Sequence, residues 1–237
     1  MSTSKYEYKV LELNQTDYMT QSIECLTYTF VGMKAADKLV QEPMVGHLDI
    51  SYDVFYSFVE SYMQAVVDQG YCTIALDGET VVGVMACDIN APVLDEYYEY
   101  KSYLSAMNVI KFVMNDVDKR FVDDYEKRHG ESIRDGEVLH MGMLGVSATS
   151  DRHEIVNQLV HRVFEKASSE GLKLVFAEVT NPKSMKLLER QFGMTKYEDL
   201  DGQIIYHTYK DDKLLSGIPG EVADATYVIT RSLDDYI

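Results

Sequence analysis

The segment from residue 137 to residue 180 restricts the fold of this chain more than any other. "EVLHMGMLGVSA" (137–148) and "KLVFAEVT" (173–180) are apolar runs of the kind found in buried strands. Between them, at about 152–169, Ile155, Leu159 and Val163 recur at helical spacing. A strand, a helix and a second strand in this order predict two parallel, adjacent strands joined by a crossover. The sequence therefore predicts a mixed α/β fold.

Further strands and helices are predicted around this unit. Asp77-Gly78 lies between two apolar runs and predicts a tight hairpin, because these residues supply the positive φ angles of such a turn. The stretch from about 91 to 136 interrupts the strands and contains a helical pattern that ends at Gly130. No repeat or linker is visible, so a single domain over 1–237 is predicted. The other predicted elements are strands at 6–13, 71–77, 80–89 and 226–233, and helices at 17–30, 52–70, 108–130 and 184–192.

Charge and composition exclude several classes of function. The chain has 22 Lys and Arg against 39 Asp and Glu, a formal net charge of −17. Such a charge repels nucleic acid and anionic membranes, so neither is predicted as a partner. No apolar run is long enough to cross a membrane and no secretory signal is visible, which makes the cytoplasm the expected location. The three cysteines and the scattered histidines show no metal-ligand spacing, so no metal is predicted.

The turn inside "LGVSATSDRHEIVNQLV" (144–160) is typical of a phosphate site, in which the backbone amides at a helix N-terminus face the anion. Here the turn has no glycine, and Glu154 adds a negative charge. Arg152 and His153 lie beside it and could neutralise a phosphate. Backbone amides survive the replacement of side chains, so the sequence leaves open a modified cradle and a lost one.

Two further segments carry a specific order of residues. "AEVTNPKSMKLLERQFGM" (177–194) indicates a strand, a turn and a short helix, and "QEPM" (41–44) has a glutamate before a proline after the first helix. Together with the helical stretch at 91–136, they resemble the GNAT (GCN5-related N-acetyltransferase) superfamily, more narrowly its arylalkylamine N-acetyltransferase-like branch known from insects. The resemblance covers nearly the full length. It implies a GNAT acyl-CoA fold with a helical insert between the third and fourth predicted strands.

The resemblance also implies a binding mode for acetyl-CoA as co-substrate. In these proteins the fourth and fifth strands part, the pantetheine arm pairs with the fourth strand, and the diphosphate lies on the following turn. The turn usually reads R-x-x-G-x-G/A, and this chain has Asp151, Glu154 and Val156 at its arginine and glycine positions. The amides of the fourth strand near Leu144 to Val146 would also hold the oxyanion of a tetrahedral intermediate. The implied acetyl-CoA-binding residues are Leu144, Gly145, Val146, Arg152, His153, Glu154, Ile155, Val156, Asn157, Asn181 and Ser184.

Two residues are implied as catalytic. Glu42, the glutamate of the EP turn, would be the general base, since an ammonium ion must lose a proton before it can attack a thioester. Ser184, which opens the short helix, would assist proton movement or the CoA thiolate. The alternatives are an exposed turn carboxylate for Glu42 and a helix cap for Ser184. Many acetyltransferases have a tyrosine on this helix as general acid, but here the matching position holds Leu188 or Glu189.

The predicted partner is a small molecule with a primary amine, either an arylalkylamine or a polyamine-like amine, and the chain is expected to be a monomer or a homodimer. Tyrosines at 97, 98, 100 and 103, with Met107, could form an aromatic lid over an aryl or cationic amine, or could simply cover the core. His140 could be a proton relay or a structural histidine. Two other functions stay open: a non-catalytic protein that keeps the fold but not CoA, and a protein-lysine acetyltransferase.

Overall fold

The computed structural model describes residues 5–35, 38–90, 102–234 and 236. Within them lie ten strands and six α-helices, which confirms the mixed α/β fold class. The strands are β1 (Glu7–Val10), β2 (Met33–Ala35), β3 (Lys38–Val40), β4 (Thr73–Asp77), β5 (Thr80–Asp88), β6 (Val138–Val146), β7 (Leu174–Val179), β8 (Thr195–Lys196), β9 (Tyr206–Thr208) and β10 (Ala225–Ser232). The helices are α1 (Thr16–Val31), α2 (Pro43–His47), α3 (Tyr52–Val66), α4 (Asn108–His129), α5 (Arg152–Ser169) and α6 (Pro182–Phe192).

The main sheet has the strand order β1-β4-β5-β6-β7-β10-β8, and β9 also pairs with β10. As predicted, β6 and β7 are adjacent and parallel, whereas the other paired strands in the described part of the chain are antiparallel. The two parallel strands pair over three residues each, from Val138 opposite Leu174 to His140 opposite Phe176. Beyond that point β6 continues to Val146 and β7 to Val179 without pairing with each other. The strands therefore part toward their carboxyl ends.

The other edge of β6 pairs with β5 along most of its length. The register shifts where Ala86 pairs with Met143 and Cys87 with Met141, which leaves Gly142 as an extra residue in β6. A Cβ atom at Gly142 would overlap the hydroxyl group of Tyr62 on α3. Glycine at this position therefore lets Tyr62 reach the middle of the sheet.

Helices cover the sheet on both faces. Helix α5 packs on one face, with Ile155 and Leu159 in the largest core cluster, which also includes Leu188 of α6. Helices α1 and α3 pack on the opposite face, where Leu26 and Phe55 lie in a second cluster. Helix α4 contributes Val117 and Phe121 to a third cluster with Phe176 and Val228. None of the described helices combines the length and the apolar character needed to cross a membrane.

Most predicted boundaries lie within a few residues of the observed ones, and three details differ. Helix α6 begins at Pro182, earlier than predicted, because Asn181 caps it and proline fits the first helical position. In the hairpin turn, Gly78 has a positive φ of 63° but Asp77 does not. The short strands β2, β3, β8 and β9 and the five-residue helix α2 were not predicted. The tyrosines at 97, 98 and 100 lie outside the described residues.

Candidate functional site

A cavity of about 630 Å³ lies where β6 and β7 part. Residues of both strands line it, together with side chains from helices α1 to α6. Its apolar lining includes Met85, Met143 and Val179. Its polar and charged lining comprises Thr29, Gln41, Glu42, Tyr62, Asp118, His140, Arg152, His153, Glu178, Thr180, Asn181, Lys183 and Ser184. A cavity of this volume is large enough for a small ligand.

The parted edge of β6 presents backbone groups to the cavity. The amide of Ser147 donates to Val82 on the β5 side at 2.9 Å. Because successive residues of a strand direct their amides to opposite edges, those of Val146 and Leu144 point toward the open edge. Leu144 and Val146 both line the cavity, whereas Gly145 between them packs against Thr29 and Leu26 of α1. The strand therefore has the free edge that an extended ligand could pair with.

The turn before α5 forms one end of the site. The side chain of Asp151 caps the helix and accepts a hydrogen bond from the amide of Glu154 at 3.1 Å, and the amide of Asp151 donates to the hydroxyl of Tyr6. The amides of Arg152 and His153 have no hydrogen-bond partner among the described residues. An anion here would meet two free amides, the Arg152 guanidinium and the positive end of the helix dipole, opposed by the Asp151 carboxylate.

The predicted residues of this turn separate into two groups. Arg152, His153 and Val156 line the cavity. Glu154, Ile155 and Asn157 do not; Ile155 is buried in the core, where it packs against Gly83 of β5. The Glu154 carboxylate therefore does not fill the wedge between the strands.

Glu42 lies at the N-cap of α2 and is only 8% exposed. Its Oε2 atom accepts a hydrogen bond from the amide of Val45 at 2.7 Å. Its Oε1 atom is buried and has no hydrogen-bond partner in the described part of the chain. Burial raises the pKa of the Glu42 carboxyl, and the Val45 amide, the Thr180 side chain and the Met44 amide only partly oppose this shift. The alternative of an exposed turn carboxylate is therefore wrong.

Ser184 is exposed at the cavity, in the first turn of α6. The cap of this helix is Asn181, whose side chain accepts a hydrogen bond from the amide of Lys183 at 2.9 Å. The alternative role of Ser184 as a helix cap is therefore wrong, and its hydroxyl is not used by the helix end. Of the two positions considered for a general acid, Leu188 is buried and lines the cavity, and Glu189 does not line it.

A buried network of side chains lies where β6 and β7 begin to part. His140 of β6 lies between Asp88 of β5 and Glu178 of β7, with Nδ1 3.0 Å from Asp88 Oδ2 and Nε2 2.9 Å from Glu178 Oε2. The hydroxyl of Tyr62 donates to Asp88 at 2.9 Å. The imidazole also stacks on the ring of Phe176, with centroids 4.8 Å apart. His140, Tyr62 and Glu178 line the cavity, so the network forms its second, deeper end.

Charges within the network shift the pKa values of its members. Burial opposes a charge on His140, but Glu178 and Asp88 outweigh it and raise the pKa of the imidazole well above its usual value. Burial likewise opposes the charge on Glu178, but His140 and Asp118 outweigh it and lower the pKa of that carboxyl to about 2. Asp118, on α4, has its pKa raised well above the usual range by burial and by the charge of Glu178. These shifts favour an ion pair between His140 and Glu178 and the protonated form of Asp118.

The sequence interpretation missed most of this network. Asp88 and Glu178 are charged residues inside otherwise apolar strand segments, which is the signal that could have indicated them. Asp118 had no comparable signal, because it lies in a helix with many charged residues. Of the predicted aromatic lid, Met107 is buried and lines the cavity, whereas Tyr103 is 54% exposed. No group of three or more His, Cys, Asp or Glu among the described residues could hold a metal ion.

No known family model matches this sequence, and no curated protein matches it. The fold, however, is similar to those of solved structures. The C-terminal condensation domain of Ebony, solved with beta-alanyl-dopamine, has a TM-score of 0.66 at 14% identity, over 97% of this chain and 100% of that one. A putative arylalkylamine N-acetyltransferase 7 from the mosquito Aedes aegypti has a TM-score of 0.67 at 16% identity, over 97% of this chain and 88% of that one.

A polyamine N-acetyltransferase of Drosophila melanogaster that forms N-acetylagmatine has a TM-score of 0.61 at 15% identity, over 96% of this chain and 99% of that one. At these identities the likeness concerns the fold. It confirms that the chain has the fold of GNAT acetyltransferases and that the resemblance to the arylalkylamine N-acetyltransferase-like branch extends to the structure.

Proposed function

We propose that this protein is an N-acetyltransferase that transfers an acetyl group from acetyl-CoA to a primary amine of a small molecule. The observation that carries the proposal is the cavity between the parted strands β6 and β7, which has a free strand edge and the buried carboxylate of Glu42 in its lining. Solved neighbours of the same fold include amine acetyltransferases, which supports the same class of reaction.

The residues of the cavity fit a CoA thioester. The open edge of β6 at Leu144 and Val146 suits an extended pantetheine arm, which would pair with it as an additional strand does. The free amides of Arg152 and His153, with the Arg152 side chain, suit a diphosphate. Asp151 weakens this end, because its carboxylate already accepts from one amide of the turn. These features support a modified cradle over a lost one.

Glu42 would remove the proton from the bound amine. Most primary amines are ammonium ions at neutral pH and cannot attack until a base accepts their proton. Burial raises the pKa of Glu42, which makes its carboxylate a stronger base than an exposed one, and its Oε1 atom has no other partner in the described chain. Its Oε2 atom remains bound to the Val45 amide, which fixes the carboxylate in place.

The amine nitrogen would then attack the thioester carbonyl directly. The amides of Leu144 and Val146 would hold the oxyanion that forms, in the way that backbone amides stabilise other acyl transfers. The Ser184 hydroxyl would donate a hydrogen bond to the departing thiolate. None of Cys25, Cys72 and Cys87 lines the cavity, and Cys72 and Cys87 are buried in the core. This supports direct attack without an acyl-enzyme.

An acetyl-transfer assay tests the proposal. The protein is incubated with acetyl-CoA and, in turn, an arylalkylamine, a diamine and a lysine-containing peptide, and release of free CoA thiol is measured. We expect amine-dependent thiol release with at least one small amine and little with the peptide. Preference for the peptide would favour the protein-lysine acetyltransferase. Absence of heat and of thermal stabilisation with millimolar acetyl-CoA would favour the non-catalytic protein.

A further inference from the structure

Two carboxylates in the cavity each have a buried oxygen atom without a hydrogen-bond partner. They are Oε1 of Glu42 on α2 and Oδ1 of Asp118 on α4. Among the described side chains, the hydroxyl of Ser22 is also buried without a hydrogen-bond partner, but it does not line this cavity. Buried polar atoms are almost always hydrogen-bonded, so two unpartnered carboxylate oxygens in one cavity indicate that a ligand with donors belongs there.

Asp118 also lies next to a second carboxyl group, that of Glu178. Its side chain lies within hydrogen-bonding contact of Glu178, and both are carboxyl groups. When both are ionised neither can donate, and two like charges at close range repel strongly at a buried site. Such a pair is stable only when it shares a proton or when a cation replaces that proton.

The surrounding groups do not supply that cation. His140 is the positive group whose charge acts on Asp118, and it is already placed between Glu178 and Asp88. Tyr62 donates its hydroxyl to Asp88. With His140 and Tyr62 engaged in this way, the charges acting on Asp118 from β5, β6 and β7 are those of Asp88, His140 and Glu178. With Asp118 protonated, the sum of these groups is one negative charge.

We infer that Asp118, supported by Glu178, is the site for a second positive charge on the acceptor, so that the preferred substrate is a diamine or another dicationic amine. The inference rests on the proposed function, in which Glu42 receives the reacting nitrogen. Asp118 lies on helix α4 and lines the cavity, so this helix would contribute to the choice of substrate.

The binding step exchanges a proton for a cation. In the free protein, the protonated carboxyl of Asp118 donates to Glu178. When the distal ammonium binds, the O–H bond of Asp118 breaks, its proton passes to the solvent buffer, and the N–H groups of the ammonium donate to the two carboxylates. No covalent bond to nitrogen is formed. A monoamine of the same length lacks the distal ammonium and leaves the Asp118 proton in place.

Calorimetry can count this proton. Binding of 1,4-diaminobutane and of 1-aminobutane is measured at pH 7, with CoA present, in two buffers of different ionisation enthalpy. We expect the diamine to release about one proton more than the monoamine, because both ligands act equally on Glu42 and only one reaches Asp118. This comparison uses the unmodified protein. An equal proton count for the two amines would overturn the inference.

Two variants locate the proton. In Asp118→Asn the new side-chain amide can donate to Glu178 permanently, so the variant should fold and should lose the extra proton release. Its affinity for 1,4-diaminobutane should fall about 10- to 100-fold, the usual range for a lost hydrogen bond to a charged group, with little change for 1-aminobutane. Asp123→Asn on the same helix is the matched control, since the Asp123 carboxylate is partly exposed and pairs with Lys119, and it should behave as the unmodified protein.

One further outcome of the Asp118→Asn experiment would contradict the inference. If Asp118→Asn lowers the rate equally for both amines and leaves their affinities unchanged, Asp118 moves the reacting proton, and the inference is wrong. The measurements of binding need no acyl transfer. Proton release without any acetylation would therefore leave the second-charge site standing and overturn the proposed function.

Discussion

The two ends of the cavity between β6 and β7 are built on different principles. The outer end, at the start of α5, is exposed and offers backbone amides, with Arg152 as its cationic side chain in the cavity lining. The deep end is a buried set of polar side chains contributed by five separate elements, with His140 at its centre. Backbone groups tolerate almost any side chain, whereas a buried charge depends on each of its partners.

This difference explains how the chain can lack the glycines of the usual diphosphate turn and still have an open cavity. The turn geometry is kept by the Asp151 cap and by helix α5, which packs firmly on β5 through Ile155. The difference between the two ends also predicts that substitutions at the deep end have large effects and that those at the outer end have small ones.

The largest effect is expected for His140→Ala. It leaves Asp88 and Glu178 buried without their shared cation, and the loss of one partner of a buried pair costs about 3–5 kcal/mol in the free energy of unfolding. Because the pKa of His140 is raised in the folded state, its contribution is complete below its unfolded pKa near 6.5 and is lost as pH rises through the raised value. The contribution of Glu178 is lost as pH falls from about 4.5 toward about 2.

The difference in stability between the two proteins should therefore be largest between about pH 4.5 and pH 6.5, as measured by urea unfolding. His153→Ala at the outer end is the control, and it should change stability by less than about 0.5 kcal/mol. If His140→Ala and His153→Ala lower the free energy of unfolding by similar amounts, the proposed difference between the two ends is wrong.

Glu42→Gln should lower the rate of acetyl transfer by about 100-fold or more, the usual contribution of a general base. The glutamine oxygen can still accept from the Val45 amide, so the fold should be kept. In the unmodified protein the rate should rise with pH through the raised pKa of Glu42, because the base must be ionised. This limb of the pH profile should be absent in the variant. Glu221→Gln, at an exposed position, is the control. An unchanged pH profile in Glu42→Gln would show that Glu42 is not the general base.

Ser184→Ala should have an intermediate effect. Loss of one hydrogen bond to a departing thiolate should lower the turnover rate by about tenfold. Because Asn181 caps α6, the melting temperature should not change. Asn181→Ala is the reciprocal variant and should cost about 1 kcal/mol of stability through loss of the cap. A drop in stability with unchanged turnover in Ser184→Ala would assign the serine a structural role.

The smallest effect is expected for Asp151→Asn. Asparagine also caps helices, so the turn should be kept while one negative charge beside the free amides is removed. The affinity for acetyl-CoA, measured by calorimetry, should rise by about two- to fivefold, as expected for one charge at a helix N-terminus. Asp53→Asn, in the first turn of α3, removes an equivalent charge elsewhere and should not change the affinity. A weaker affinity in Asp151→Asn would show that the carboxylate does not oppose the anion.

The sequence predicted the parts of the structure that depend on local patterns. The crossover from β6 through α5 to β7 was found because apolar runs and helical spacing are strong over 137–180, and the bounds of α5 agree with the prediction. The hairpin of β2 and β3 was missed because each strand has three residues, too few to show a period. The start of α6 was missed because the capping role was considered for Ser184 and not for Asn181.

The candidate site was only partly predictable for a related reason. Glu42 was indicated by the resemblance of one short motif, but its burial and its unpartnered oxygen depend on the packing of α2 against distant elements. The His140 network joins residues separated by 52 and 38 positions in sequence, and no local pattern encodes such a meeting. Asp118 joins it only because α4 lies over the parted strands.

A crystal structure of the protein with CoA tests the central claim most directly. We expect the pantetheine arm to extend along β6 with hydrogen bonds to the backbone at Leu144 and Val146, and the diphosphate to lie at the amides of Arg152 and His153. Strands β6 and β7 would remain parted beyond His140 and Phe176, as they are here. A structure in which these strands close on each other, or in which CoA lies outside the space between them, would contradict the account.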